Sequence, residues 1–223
     1  MPASLPSGVV RFYDTHPINE DEILAKLMAA GVNLESLTED DLKEFDQDHY
    51  GGIEVVEVLA ARAGIQPHHH VLDVCSGMGG PARWLAHSIG CRVTGLDITS
   101  SRVEAAQRLT QRVKLDKLVD FVHGDATAMS LPDASYDAVI SQEAWLYIPS
   151  KSDVIAECAR VVKPGGIIAF TDVILRSPLM PEAESRMATE MQAPGVSSIE
   201  QYLDLLRAHQ CRVTNYCVPT SAG

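Results

Sequence analysis

The sequence predicts an α/β chain: a doubly wound, mostly parallel sheet with helices on both faces, preceded by an N-terminal helical cap. Three observations carry this. From Val71 onward, short apolar runs of strand length alternate with segments of helical periodicity. Val71-Leu-Asp-Val-Cys-Ser-Gly-Met-Gly-Gly80 passes through a small-residue, Gly-rich turn straight into the amphipathic stretch Pro81–Ile89, with Pro81 suited to a first helical position. Before residue 66 the pattern is helical, with caps and 3.6-residue spacing. The expected division is therefore a cap segment over 1–65 and an α/β domain over 66–223.

Length and composition bound the answer. A chain of 223 residues with 46% apolar content can bury one large core. No apolar run approaches the roughly 20 residues that span a bilayer, and Met1–Gly8 lacks the basic and apolar regions of a signal peptide. A cytoplasmic protein that is not a membrane protein is expected. A net charge of −12 disfavours nucleic acid, whose phosphates need basic patches. Cys75, Cys91, Cys158, Cys211 and Cys217 are odd in number and form no C-x-x-C pair, so they read as small apolar residues rather than disulfides or metal ligands. His68-His69-His70 would splay around the backbone, and no metal is expected.

The elements follow in order. Residues 1 to about 18 read as irregular, with Pro2, Pro6, Gly8 and Pro17 as breakers. Asn19 with Glu22 caps a helix carrying Ile23, Leu24, Leu27 and Met28, ended by Gly31. Thr38 with Asp41 opens a short helix over Leu42 and Phe45. The polar turn Asp46–Gly52 precedes a helix over Ile53–Ala63, closed by Gly64. Strands are expected at Val71–Val74, Cys91–Asp97, Val119–His123, Tyr136–Ser141, Ile167–Asp172 and Cys211–Val218. Helices are expected over Pro81–Ile89, from Ser101 (boxed with Glu104) to Val113, over Lys151–Val162, and from Ser198 (boxed with Gln201). Lys163-Pro-Gly-Gly166 reads as a turn, and the polar, Met-rich stretch up to Ser197 as a connection.

In such a sheet a ligand binds outside the carboxyl ends of the strands, at the switch point. The first strand there carries Asp73 and runs into the Gly-rich turn; the second ends in Asp97, suited to paired hydroxyls; the third ends in Gly124-Asp125-Ala126. The fourth ends in Ser141-Gln-Glu-Ala-Trp-Leu-Tyr147. Three carboxylates around a turn without a basic residue argue against a phosphate ligand and for a cationic one.

These residues resemble class I S-adenosylmethionine-dependent methyltransferases. The D-x-G-x-G-x-G signature of that class is matched by Asp73-Val-Cys-Ser-Gly-Met-Gly79, with Cys75 where glycine is usual. The resemblance runs from about residue 65 to 218 and includes Asp97, the Gly124–Ala126 corner and Val161-Val-Lys-Pro-Gly-Gly166. Gly79-Gly-x-x-Arg-x-Leu-Ala86, Ser141-Gln-Glu-Ala-x-Leu146 and Asp46-Gln-x-His-Tyr-Gly-Gly52 are most similar to the small-molecule branch, with its glycine/sarcosine/dimethylglycine N-methyltransferases and tocopherol methyltransferases.

The resemblance implies a Rossmann-like fold and S-adenosylmethionine as cofactor, with S-adenosylhomocysteine as product. Asp73, Cys75, Ser76, Gly77 and Gly79 would shape the methionine pocket. Asp97 and Ile98 would hold ribose and adenine, Asp125 and Ala126 would flank adenine, and Gln142 would lie under the methionine portion. The class also implies a seventh, antiparallel strand, for which Gly223 leaves no room. It would be truncated, lost or supplied by another chain, as in a homodimer.

On the acceptor side, Glu143 and Tyr147 are the catalytic candidates. A carboxylate beside aromatic rings can hold a cationic amine. Trp145 is either part of that site or core; Arg176 either binds a substrate carboxylate or is solvated; Tyr13 and Tyr50 either close over the cofactor or pack on aliphatic neighbours. The expected activity is methyl transfer to N, O or C of a small molecule, N first. The alternative is a non-catalytic cofactor binder or partner protein on the same fold. An NAD-dependent oxidoreductase fits Asp73 and the Cys75-Ser76 pair less well.

Overall fold

The computed structural model describes residues 7–218. The irregular start expected at Pro2 and Pro6 lies outside them. Residues 15–18 are irregular as expected, whereas Ser7–Asp14 is a helix, α1. Gly8 falls in its first turn, Val9 is buried, and Asp14 at its end accepts a hydrogen bond from Ser101 of the sheet domain. A breaker at a helix end does not prevent the helix.

The cap continues through α2 (Glu20–Ala29), a 3-10 turn (Leu34–Ser36), α3 (Glu39–Leu42) and α4 (Gly52–Ala63). Asn19 accepts from the Glu22 N–H, and Thr38 and Asp41 form the reciprocal box expected of them. Gly64 closes α4 in the left-handed conformation. Ile23, Leu27, Leu37 and Leu42 pack as one cluster with Met78 and with the sheet-side helix residues Ala105, Leu109 and Val113.

Five strands form the main sheet: β1 (His70–Val74), β2 (Arg92–Asp97), β3 (Val119–His123), β4 (Tyr136–Gln142) and β5 (Val162–Thr171). Their order is β3-β2-β1-β4-β5, and every ladder is parallel. The order reverses between β1 and β4, which makes the crevice above those two strands the switch point. α5 (Gly80–Ile89) follows β1, α6 (Ser100–Arg112) follows β2, and α7 (Lys151–Val161) precedes β5.

Strand alternation sends side chains to opposite faces. Val71, Val93, Ala138 and Ile140 meet α4, α5 and α6 on one face. Leu72, Val74, Leu96 and Val139 meet α7 and α9 (Ile199–Ala208) on the other. The sheet is thus doubly wound and buried on both faces, which is why its strands read as continuous apolar runs.

Four local expectations are corrected. α6 starts at Ser100 with Thr99 as its N-cap; Ser101 instead donates to Asp14 at 2.6 Å, so the Ser101–Glu104 box does not form. Lys163–Gly166 is not a turn before a strand but a bulge inside β5, where the pairing jumps from Tyr136↔Val162 to Ala138↔Ile167. The connection after β5 contains a helix, α8 (Pro181–Thr189), and a two-residue parallel ladder between β6 (Ile174–Leu175) and β7 (Ser197–Ser198). Cys211–Val218 is not a strand. Its alternation is there, but most of its side chains are exposed and no ladder forms, so nothing repays ordering it as a strand. Among the described residues the outer edge of β5 has no partner strand. No described helix is long and apolar enough to cross a membrane.

Candidate active site

The carboxyl ends of β1, β2 and β4 open into a cavity of about 280 Å³. Asp73, Cys75, Ser76, Gly77, Asp97, Ile98, Asp125, Ala126, Gln142, Glu143 and Tyr147 all line it, so the expected site residues converge with one exception. That exception is Gly79, which is off the wall. It is the N-cap of α5 at φ +80°, and a side chain there would run into the Phe121 ring. Its role is to let the turn enter the helix.

The turn is tied to β2 through backbone donors. The Ser76 N–H donates to the Leu96 carbonyl at 3.0 Å, and the Gly77 N–H to Asp97 Oδ2 at 2.9 Å. The Thr99 N–H donates to the other Asp97 oxygen at 2.8 Å. Burial raises the Asp97 pKa, against the pull of these bonds and of Arg102. Asp73 is more exposed to that pressure. Burial, then the neighbouring Asp97 charge, push it up to about 7, and its Oδ2 has no hydrogen-bond partner within the protein. Ser76 Oγ, Thr99 Oγ1, Arg102 Nη2 and Gln142 Oε1 are likewise buried and unpaired. Five unpaired polar atoms on residues lining one cavity mark a place where a ligand supplies the missing partners.

Cys75 has φ +62°, in the left-handed region that favours glycine. Burial holds its thiol well above the usual range, so it is not a reactive thiolate.

The other wall is built by the cap. Glu143 accepts the Tyr50 N–H at 2.9 Å and is itself at φ +48°. Gln142 meets His49 at 3.2 Å. The Tyr13 and Tyr147 rings meet edge to face with centroids 5.6 Å apart. Burial, then Tyr147, raise the Tyr13 phenol well above its usual value. Tyr13 therefore lies over the cavity, whereas the Tyr50 side chain is exposed and only its backbone reaches the site. Trp145 is core: it is 1% exposed and stacked on Phe170 at 4.2 Å. Arg176 is not on the cavity wall.

Several lining residues escaped the sequence reading: Val9, Asp48, His49, Arg102 and Asp153. Arg102 sits on the first turn of α6, close after Asp97, a spacing that could have flagged it. Its Nη1 donates to Asp48 at 3.1 Å and its guanidinium lies 4.8 Å from the Tyr13 ring centroid. Arg83, quoted only as part of a motif, proves to be a fully buried hub. It donates to the Met78 carbonyl at 2.7 Å, to Thr110 at 3.1 Å and to Asp46 at 2.6 Å, with Glu39 at 3.5 Å. It thereby seats the cap on the Gly-rich turn. The fit is close: a Cβ at Gly80 would lie 2.7 Å from the Asp46 carbonyl oxygen.

Among the described residues no group of three or more His, Cys, Asp or Glu stands where it could hold a metal. In the His68–His70 run, His70 bonds Thr94 at 2.9 Å, while the His68 and His69 rings meet edge to face.

Residues 72–170 match the family described as "Methyltransferase domain". The chain is 40% identical over 117 residues to a sterol 24-C-methyltransferase of Eremothecium gossypii, covering 52% of this chain and 31% of that protein. It is 33% identical over 117 residues to a glycine/sarcosine/dimethylglycine N-methyltransferase of Actinopolyspora halophila, covering 52% of this chain and 21% of the relative. The chain thus spans less than half the length of these curated relatives. In fold it matches phosphoethanolamine N-methyltransferase 2 of Haemonchus contortus, solved with S-adenosyl-L-methionine, with a TM-score of 0.71 at 20% identity over 89% of this chain and 43% of that one. Residues 72–170, on a Rossmann-like sheet, are thus similar to the methyltransferase domain, the class that the Asp73–Gly79 signature resembles.

Proposed function

We propose that the chain is an S-adenosylmethionine-dependent methyltransferase acting on a small molecule, with nitrogen as the foremost acceptor atom and oxygen or carbon as the others. The observation that carries it is Asp73: a buried carboxylate with a free oxygen, set beside Asp97 in a cavity at the switch point. A ligand with a positive charge and both hydrogen-bond donors and acceptors fits that lining: the free oxygens of Asp73 and Gln142 accept, and Arg102 Nη2 donates. When bound, S-adenosylmethionine supplies a methyl group already activated on a sulfonium. Asp97 would accept ribose hydroxyls while its backbone bonds hold it in place. Asp125 and Ala126 would flank adenine, Ile98 would cover it, and Asp73, Ser76, Gly77 and Gln142 would take the methionine end.

Glu143 and Tyr147, with Tyr13, would form the acceptor side. A carboxylate and two rings suit an amine, and Glu143 could take its proton if it arrives charged. With the methyl group already activated, the chain's main task is to orient the acceptor and keep water out. The described part of the cap, residues 7–65, serves that task by closing one side of the cavity. The test is calorimetric binding of S-adenosylmethionine and S-adenosylhomocysteine, then S-adenosylhomocysteine release with a panel of amines, phenols, quinones and sterols. Binding plus turnover with an amine is expected. Tight binding with no turnover across the panel would favour a non-catalytic binder.

A further inference from the structure

The strongest unexplained feature lies just behind the acceptor wall. Lys151, the first residue of α7, is 5% exposed. Burying an ammonium is costly unless it is paired and hydrogen-bonded. Here Nζ donates to the carbonyl oxygens of Trp145 and Ile148, the latter at 3.0 Å. Asp172, just past β5, accepts the Leu146 N–H at 3.2 Å and the hydroxyl of Tyr202 from α9. The Gly195 N–H donates to the Leu146 carbonyl at 2.8 Å. The gripped stretch, Ala144–Ile148, has only a 3-10 turn of its own, yet Ala144, Tyr147 and Ile148 line the cavity. Neither Lys151 nor Asp172 lines that cavity.

We propose that Lys151, with Asp172 and Tyr202, is a positioning residue: it clamps the backbone of residues 144–148 so that Tyr147 and the neighbouring Glu143 face the acceptor. The inference rests on the reading of that wall as the acceptor side. Three titratable groups face Lys151 or its partner: Asp172 from the end of β5, Cys75 from the turn after β1, and Tyr202 from α9, which bonds Asp172. The thiol of Cys75 and the phenol of Tyr202 both sit above their usual ranges, so neither ionises near neutrality. Desolvation pulls Lys151 down to about 8 against the attraction of Asp172. Below that pH the clamp has charge-assisted donors; above it the amine is neutral, its bonds weaken and its attraction to Asp172 is lost. The acceptor wall then loosens while the cofactor wall does not.

The test compares wild type, Lys151→Met, Lys151→Arg and Tyr202→Phe. For the acceptor found in the panel, wild-type kcat/KM should fall above pH about 8 while S-adenosylmethionine affinity stays flat from pH 7 to 9. Lys151→Met should lower kcat/KM about tenfold and erase that inflection, since small misplacement of reacting groups is costly, with cofactor affinity within about twofold. Lys151→Arg should carry the plateau past pH 9. A readout free of the acceptor is Trp145 fluorescence in a Trp84→Phe background. It should titrate near pH 8 in the otherwise wild-type chain and not in Lys151→Met. If Lys151→Met does not fold, Tyr202→Phe, which keeps the lysine, should weaken turnover and shift the same fluorescence titration. Wild-type turnover in the variants, an unchanged inflection, or an equal loss of cofactor affinity would overturn the clamp. A titrating Trp145 without turnover on any acceptor would instead overturn the methyl-transfer reading and leave the clamp standing.

Discussion

The two walls of the cavity are made in different ways. The wall at Asp73 and Asp97 is made by strand ends and a turn that the sheet itself places: Ser76 and Gly77 donate their N–H groups to Leu96 and Asp97 on the neighbouring strand. The wall at Glu143 and Tyr147 is made by docking distant parts of the chain. Tyr50 reaches Glu143 across 93 residues, and Arg102 reaches Asp48 across 54. The first wall is pre-formed wherever the parallel sheet forms. The second exists only while the cap is seated, and so it is where relatives with different acceptors can differ.

The largest expected effect breaks the join between the two. Arg83→Met would leave Asp46 and Glu39 buried without their cation and free the Met78 carbonyl of the Gly-rich turn. Removing one partner of a buried ion pair costs about 3–5 kcal/mol, read as a lower urea midpoint. Near-wild-type stability would show that the cap is held elsewhere. Next comes Asp97→Ala, which acts within the first wall alone. It removes two charge-assisted acceptors, from Gly77 and Thr99, as well as the proposed ribose contact. Such bonds are worth about 1.5–3 kcal/mol each, so S-adenosylmethionine affinity should fall about 100-fold by calorimetry. Unchanged affinity would sink the ribose assignment.

The same contrast explains what could be read from the sequence. Asp73, Asp97 and Asp125 can be read as residues of the cavity wall because period and strand ends are local signals, and β3 appears at the very residues expected, Val119–His123. His49, Asp48 and Val9 were not found, because their place depends on where the cap lands, and no local period encodes docking. α1 is illegible for a related reason: Gly8 reads as a breaker, whereas the helix buries Val9 and is tied at its end to Ser101, a contact far away in sequence. Cys211–Val218 erred in the opposite direction. It has a strand's alternation, but pairing needs a partner, and none of the described strands offers one there. Trp145, left open between site and core, was decided by stacking on Phe170.

A smaller effect sharpens the electrostatics of the first wall. Asp73 is pushed from an ordinary value of 3.8 up to about 7 by burial and by Asp97. A raised folded pKa means the group favours folding below its unfolded value and loses that contribution as pH rises through the folded one. Glu39, pushed up to about 8 by burial, acts in the same direction. The free protein should therefore lose stability from these two groups between pH about 4 and 8. A cationic cofactor favours the ionised form of Asp73. Its affinity should rise between pH 6 and 8, by up to about tenfold per unit below the folded pKa, with release of a fraction of one proton. Calorimetry in buffers of different ionisation enthalpy reads both. A flat profile would mean that Asp73 is already ionised in the free protein.

The smallest effect belongs to the one residue that departs from the class signature. Cys75 holds φ +62°, where a non-glycine residue costs about 1–2 kcal/mol. Cys75→Gly would relieve that strain. It would also give the unfolded chain more freedom, worth about 0.5–1 kcal/mol, and strip a side chain that packs against the Leu72, Val74 and Leu96 cluster. The terms oppose one another, so stability should stay within about 1 kcal/mol. Cofactor affinity should stay within about threefold, because this wall acts through the carboxylates of Asp73 and Asp97 and the backbone around Gly77, not through a thiol that burial keeps protonated. A large loss of affinity in Cys75→Gly, with stability intact, would show that the sulfur touches the ligand. The first wall would then depend on an individual side chain as much as the second does.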